Sequence, residues 1–167
     1  MCTYTAYPYA RGNIHIVGKS ASTPASFNTG FMEHDADLKK QLWAYKKQRE
    51  IYRRTNAYQG ELELGHPKFP KGSKAALVDG GKEGGFKSLE ERKAMKNIEY
   101  SAEDDKAIED WIRENVNTTW HSMGTCKMAP RDEGGVVDKN LNVYGTKGLK
   151  LAGELTRDRG KDRIEED

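Results

Sequence analysis

The residues of this 167-residue chain that are best suited to chemistry lie together in residues 119–128. His121 carries an imidazole, the type of side chain best matched to accepting or donating a proton near neutral pH. Gly124 follows three residues later, and a glycine allows a flat ligand to approach the backbone because it has no Cβ atom. The spacing by itself leaves both a structural and a catalytic histidine open.

Five other candidate residues favour structural roles. Cys126 lacks the flanking signature of a cysteine protease, so a buried thiol is the better interpretation. Asp138 is typical of a turn between two strands. Gly145 and Gly148 resemble a hairpin turn, and two isolated glycines are weak evidence for phosphate binding. His66 has no companion ligand at metal spacing, so we predict no metal site.

A helix should deliver the chain to this stretch. Ser101 opens a pattern close to a capping box, and the acidic residues after it suit the positive end of a helix dipole. Ile108 and Ile112 lie four residues apart, the spacing of one helix face. We expect this helix to end at residues 115–117, where polar and β-branched residues take over.

The rest of the chain predicts four segments. Alternating residues favour a strand over residues 11–17, and a Ser, Thr, Gly and Pro-rich loop is expected over 20–30. A second helix is predicted from residue 36 to 54, with Asp35 as its N-cap. Residues 59–97 contain paired glycines and few apolar residues, so we interpret them as an irregular surface excursion.

The composition excludes several function classes. Basic and acidic residues are nearly balanced, 28 against 26, so no patch predicts binding to nucleic acid or a membrane surface. No apolar run approaches the roughly 18 residues of a membrane helix. Two cysteines make no disulfide framework, and no address signal is recognisable, so we expect an intracellular protein. The mean hydropathy of −0.91 favours a chain that covers a partner domain.

Several motifs resemble the C-terminal signature of one enzyme family, the glucose-methanol-choline (GMC) flavoprotein oxidoreductases. The similarity is greatest to the alcohol (methanol) oxidases of fungi and covers residues 7–152. The motifs occur in the family's order and at its separations, and residues 59–97 are the least alike. They are residues 121–128, 135–138 and 142–151 around the candidate site, and 10–16, 30–32, 43–47, 98–100 and 103–109 before it.

The resemblance implies an α+β fold, with an antiparallel sheet backed by helices, in a flavoprotein that binds FAD. It implies oxidation of a small primary alcohol to an aldehyde, with hydride transfer to the flavin and O2 as the acceptor. His121 matches the family's active-site histidine, which accepts the hydroxyl proton. Trp120 and His121 match the pair that lies against the flavin ring. The family also implies a homo-oligomer in the peroxisome.

The chain departs from the family pattern in two places. The family's N-terminal FAD-binding Rossmann unit, with its Gly-x-Gly-x-x-Gly turn, has no counterpart in these residues, so we expect an incomplete fold. After residue 152 the family's second active-site residue is missing, and residues 153–167 form a charged tail that we expect to be disordered. We therefore expect this chain alone to hold FAD weakly and to be inactive.

Two alternatives stay open. The chain could be a non-catalytic, truncated paralogue that pairs with a full-length oxidase as an assembly partner. It could also belong to another branch of the family that acts on aryl alcohols, sugars or choline. Trp120 and residues 44–47 favour the methanol-oxidase branch.

Overall fold

A computed structural model of the chain describes residues 2–78 and 88–156. They form two compact units, one made of residues 2–12, 29–78 and 88–117, the other of residues 13–28 and 118–156. The helices lie in the first unit and the paired strands in the second. The elements are strands β1 (Asn13–His15) and β2 (Ser26–Asn28), helices α1 (Asp35–Arg53), α2 (Leu89–Ala94) and α3 (Ala102–Asn115), and 3-10 turns Glu63–Gly65, Arg131–Glu133 and Glu154–Thr156.

Helix α1 confirms the predicted helix to within one residue at each end. The predicted N-cap, Asp35, is wrong by one position. His34 is the cap, because its Nδ1 atom accepts the backbone N–H of Ala36 at 3.2 Å. Asp35 instead becomes the first helical residue, where its negative charge still lies close to the positive end of the helix dipole.

Helix α3 confirms both the predicted start and the predicted end. The Ser101 Oγ atom accepts the backbone N–H of Asp104 at 3.1 Å, and the Asp104 Oδ2 atom accepts the backbone N–H of Ser101 at 2.8 Å. These reciprocal bonds form a capping box that satisfies two backbone donors at the helix start. The helix ends at Asn115, and Val116 follows in an extended conformation.

The core of the first unit lies where α1 and α3 pack together. Tyr45 of α1 contacts Ile108 and Ile112 of α3, and all three side chains are buried. The predicted apolar face of α3 is therefore confirmed. Partly buried apolar side chains surround this cluster: Met32, Leu38, Leu42, Phe69, Tyr100 and Trp111.

Residues 59–97 contain more structure than the sequence predicts. Ser88 caps the short helix α2, and the side chain of Glu61 is only 4% exposed because it pairs with Arg49 and Arg53 of α1. The short helix α2 and the buried Glu61 side chain are thus ordered features within the segment for which we predict an irregular surface excursion. The prediction counted apolar residues, and such a count does not detect a buried carboxylate. Residues 79–87 of the excursion lie outside the described residues.

The second unit contains a two-stranded antiparallel sheet. Ile14 of β1 pairs with Phe27 of β2, and both strands are exposed. The strand predicted over residues 11–17 shortens to three residues, and β2 falls inside the segment predicted as a loop. Helices and an antiparallel sheet confirm the α+β class. A helical layer behind the sheet stays a prediction, since helices and sheet belong to different units.

Candidate functional site

The candidate site begins directly after the chain enters the second unit. Trp120 has a φ of 65°, a left-handed conformation that is strained for a bulky residue. Its backbone N–H donates to the Oγ1 atom of Thr118 at 3.0 Å, which helps to hold this turn. The Trp120 side chain is 82% exposed, so the flat indole ring is available to a ligand.

His121 is exposed and its ring is held from one side. Its Nδ1 atom lies 3.2 Å from the Oε2 atom and 3.3 Å from the Oε1 atom of Glu154. The two side chains are 64% and 54% exposed. A carboxylate can only accept hydrogen bonds, so in this contact the donor is the Nδ1–H group of the imidazole.

The 3-10 turn that carries Glu154 is bonded to the segment that follows His121. The backbone N–H of Gly124 donates to the Glu154 carbonyl oxygen at 3.4 Å, and that of Met128 donates to the Thr156 carbonyl oxygen at 2.8 Å. Thr156 is 7% exposed, and its hydroxyl donates to the Gly153 carbonyl oxygen at 2.7 Å. The expected disordered tail thus begins with an ordered turn. Residues 157–167 lie outside the described part of the chain.

Residues 127–151 form the framework on which the site rests. Val137 is fully buried and bridges to both Met128, in parallel, and Val143, in antiparallel orientation. A further antiparallel bridge joins Asn142 and Lys150. The two strands expected on either side of Asp138 are therefore present only as single bridges.

The predicted turn at Asp138 is confirmed. Its carboxylate accepts the backbone N–H groups of Asn140 and Asn142, at 2.8 and 2.9 Å, and the Asn142 side-chain amide at 2.9 Å. These hydrogen bonds lower the Asp138 pKa below its ordinary value, and the bond from the Asn142 side chain makes the largest contribution. Gly145 and Gly148 have φ values of 79° and 71°, which confirms a turn of the kind that needs glycine.

Gly135 is a position where the fold accepts only glycine. A Cβ atom there would lie 1.9 Å from the carbonyl oxygen of Ala129, a backbone atom that has no alternative rotamer. The close approach lets the backbone N–H of Gly135 donate to the Pro130 carbonyl oxygen at 3.0 Å, which closes the loop that precedes Val137.

A family model described as GMC oxidoreductase matches residues 8–154 of this chain. That match covers both Trp120 and His121. The chain belongs to the GMC oxidoreductase family.

The relatives of this GMC chain include several yeast enzymes. Alcohol oxidase 1 of Komagataella phaffii is 36% identical over 93% of this chain and 29% of its own length. The alcohol oxidase of Candida boidinii is 34% identical over 91% of this chain and 29% of its own length. Glucose oxidase 1 of Penicillium expansum is 29% identical over 86% of this chain and 19% of its own length.

This GMC chain spans less than a third of the length of the alcohol oxidases that it matches. The alignment with the Komagataella enzyme extends over 193 positions, which is more than the 167 residues of this chain. The Komagataella enzyme therefore carries additional residues inside the matched region as well as outside it.

The remaining candidate residues take structural positions. Cys126 is half-buried and unpaired as a disulfide, and Cys2 is exposed. The Nδ1 atom of His66 lies 2.7 Å from the Tyr45 hydroxyl, and burial lowers the His66 pKa. In residues 2–78 and 88–156 no cluster of His, Cys, Asp or Glu could hold a metal ion. No helix within these ranges is long and apolar enough to cross a membrane.

One residue of the site was not predicted from the sequence. Glu154 lies in the segment where the family pattern is lost, and 33 residues separate it from His121. No periodicity or motif joins two residues across that distance. The only signal available was a carboxylate close to the end of the family match at residue 154.

Proposed function

We propose that this chain is the C-terminal part of an FAD-dependent oxidase that converts a small primary alcohol to an aldehyde and uses O2 as the acceptor. The observation that carries this proposal is the exposed imidazole of His121 beside the exposed indole of Trp120, inside the segment that matches the family model. The yeast relatives are alcohol oxidases, which supports an alcohol as the substrate.

His121 is proposed as the catalytic base. Nδ1 contacts Glu154, and no hydrogen bond from another described residue reaches Nε2, so its lone pair can meet a substrate hydroxyl. Transfer of the hydroxyl proton to Nε2 leaves an alkoxide-like oxygen, which favours departure of hydride from the adjacent carbon. General-base catalysis of this kind contributes about 10²- to 10⁴-fold to a rate.

Trp120 and His121 fit a flavin ring. The indole is flat and exposed, as a stacking surface must be, and both residues sit on a turn whose backbone conformation is already set. When bound, FAD supplies the acceptor for the hydride. The sequence contains no Gly-x-Gly-x-x-Gly turn for the pyrophosphate, so this chain alone should bind FAD weakly and turn over no alcohol.

The test combines this chain with the rest of an oxidase. In Komagataella phaffii alcohol oxidase 1, the matching segment is replaced by residues 8–154 of this chain, and alcohol-dependent consumption of O2 is measured. We expect His121→Asn to lower kcat by about 10²- to 10⁴-fold with flavin content unchanged. His15→Asn, at an exposed strand position, is the matched control. A His121→Asn chimera as fast as the parent contradicts the proposal.

A second candidate function is that of a non-catalytic assembly partner. In the second unit Val137 is the only fully buried large apolar side chain among the described residues, whereas Ile16 is 91% and Phe27 is 64% exposed. Apolar surface of this kind marks protein interfaces. Co-purification with a full-length alcohol oxidase in a fixed ratio, without any effect on its rate, would favour this function.

The resemblance also leads us to propose a peroxisomal location and homo-oligomeric assembly for the whole protein. Co-localisation of the fluorescently tagged full-length protein with a peroxisomal marker tests the first. Sedimentation equilibrium of the same protein tests the second. A diffuse distribution, or a monomeric mass, would contradict the respective statement.

A further inference from the structure

The strongest unassigned feature of the molecule is the contact between His121 and Glu154. We propose that Glu154 is a positioning residue that holds the His121 ring in the tautomer with the proton on Nδ1. The proposal rests on the proposed function, in which Nε2 accepts the substrate proton. Glu154 touches neither substrate nor flavin in this arrangement, and it acts only through His121.

The contact has the geometry of a carboxylate that orients an imidazole. Both carboxylate oxygens of Glu154 face Nδ1, at 3.2 and 3.3 Å. In a neutral imidazole one nitrogen donates and the other accepts, so an acceptor at Nδ1 places the proton there and the lone pair on Nε2. A base that accepts a proton at Nε2 needs its lone pair there, and the Glu154 contact at Nδ1 favours that tautomer.

The turn that carries Glu154 is attached to the His121 segment by its backbone. Its carbonyl oxygen accepts the N–H of Gly124, three residues after His121, and the buried Thr156 is bonded to Met128. These bonds do not depend on the Glu154 side chain. The carboxylate is therefore delivered to Nδ1 by a fixed backbone, which distinguishes it from a long side chain that meets a surface partner by chance.

The exposure of both side chains limits the size of the effect. Ion pairs and hydrogen bonds that are open to water shift an equilibrium by about two- to five-fold. We expect a shift of this size in the ratio of the two imidazole tautomers. A positioning role needs no larger value, because the tautomer ratio determines the fraction of neutral molecules in which Nε2 can accept.

The experiment measures the tautomer directly in the full chain. Nitrogen-15 NMR of labelled histidine distinguishes Nδ1–H from Nε2–H, and His121→Asn identifies the His121 signals among the 4 histidines. At about pH 8.5 a free imidazole is neutral. We expect Glu154→Ala to lower the ratio of the Nδ1–H form to the Nε2–H form by about two- to five-fold relative to the wild type.

Two further variants complete the test. Glu154→Gln keeps the length of the side chain but removes the charge, and it should give a ratio between those of the wild type and Glu154→Ala. Asp132→Asn removes an exposed carboxylate on another 3-10 turn of the same unit and should leave the ratio unchanged. An unchanged backbone amide spectrum verifies that the turn at residues 153–156 persists.

The proposal is overturned if Glu154→Ala leaves the ratio of the Nδ1–H form to the Nε2–H form unchanged or raises it. A merely structural role for Glu154 would move the stability of the turn without moving the tautomer. The measurement uses no alcohol and no flavin, so its failure is distinct from that of the proposed function. That function fails separately if the His121→Asn chimera retains its rate.

Discussion

Replacement of Glu61 by glutamine should strongly destabilise the first unit. The Glu61 side chain is 4% exposed and lies between two arginines of α1. Arg49 donates from Nε and Nη2 at 2.8 and 2.9 Å, and Arg53 donates from Nη2 at 2.6 Å. A neutral glutamine would leave the guanidinium of Arg49, itself buried, without its negative partner.

The Glu61 carboxylate should contribute about 3 kcal/mol to the free energy of unfolding. Burial alone would raise the Glu61 pKa, but hydrogen bonds and charges from Arg49 and Arg53 outweigh it and lower the pKa from 4.5 to about 2. Since one pKa unit equals about 1.4 kcal/mol, the ionised carboxylate stabilises the fold by about 3 kcal/mol at neutral pH. Removal of one partner from a buried ion pair costs about 3–5 kcal/mol in other proteins.

The same pKa predicts how the effect depends on pH. The folded-state pKa of Glu61 is below its unfolded value, so its contribution is complete above about pH 4.5 and is lost as the pH falls towards about 2. The difference in unfolding free energy between wild type and Glu61→Gln should therefore be largest near neutral pH. At about pH 3 it should fall to less than half.

Urea denaturation followed by far-UV circular dichroism measures this difference, because the helices lie in the unit that contains Glu61. Glu99→Gln is the control, since Glu99 pairs with Lys74 on the surface, where both side chains are exposed. We expect the control to leave the urea midpoint almost unchanged. A Glu61→Gln effect below about 1 kcal/mol, or one that persists undiminished in acid, would refute the argument.

Three further substitutions test other parts of the fold. Asp37→Asn should lower the free energy of unfolding by about 1–3 kcal/mol, because the buried Asp37 carboxylate accepts the backbone N–H groups of Tyr9 and Ala10. Hydrogen exchange of these two amides should become faster, and unchanged exchange would contradict the prediction. Ser101→Ala should cost about 1 kcal/mol in thermal melts, and Ser101→Asn should restore most of it. Gly135→Ala should cost about 3 kcal/mol or more by NMR-monitored unfolding. Gly134→Ala, where a Cβ atom would meet only the Lys127 Cε atom at 3.9 Å and φ is 75°, should cost about 1–2 kcal/mol; equal effects would refute the steric argument.

The sequence predicted those elements whose signals are local. Helix α3 is the clearest case, because Ser101 and Asp104 are three residues apart and Ile108 and Ile112 share one face. Each signal lies within two helical turns, so side-chain chemistry and helix geometry are sufficient to read it. The turn at Asp138 was predictable for the same reason, since its carboxylate bonds residues only two and four positions later.

The elements that the sequence did not predict depend on distant partners. Strand β2 is only three residues long and has a single apolar residue, Phe27, which is too little for a strand signal, and it becomes a strand because β1 supplies the pairing. The buried Glu61 is ordinary in its own segment, and Arg49 is ordinary on a helix with many basic residues. Their burial requires both at once, because an isolated charge would cost far more to bury than a pair.

The candidate site shows both kinds of information side by side. The imidazole of His121 suggested a base from its chemistry alone, and the family resemblance added Trp120 as its neighbour against a flavin ring. The partner of the base followed no such rule. The family pattern has a second active-site residue after the point that corresponds to residue 152. The structure instead places the Glu154 carboxylate at Nδ1 of His121, whereas Nε2 is the nitrogen proposed to take the proton. An acceptor at Nδ1 orients a base and cannot replace a group that contacts the substrate at Nε2. In the proposed function Glu154 would therefore orient the imidazole without replacing the family's second active-site residue.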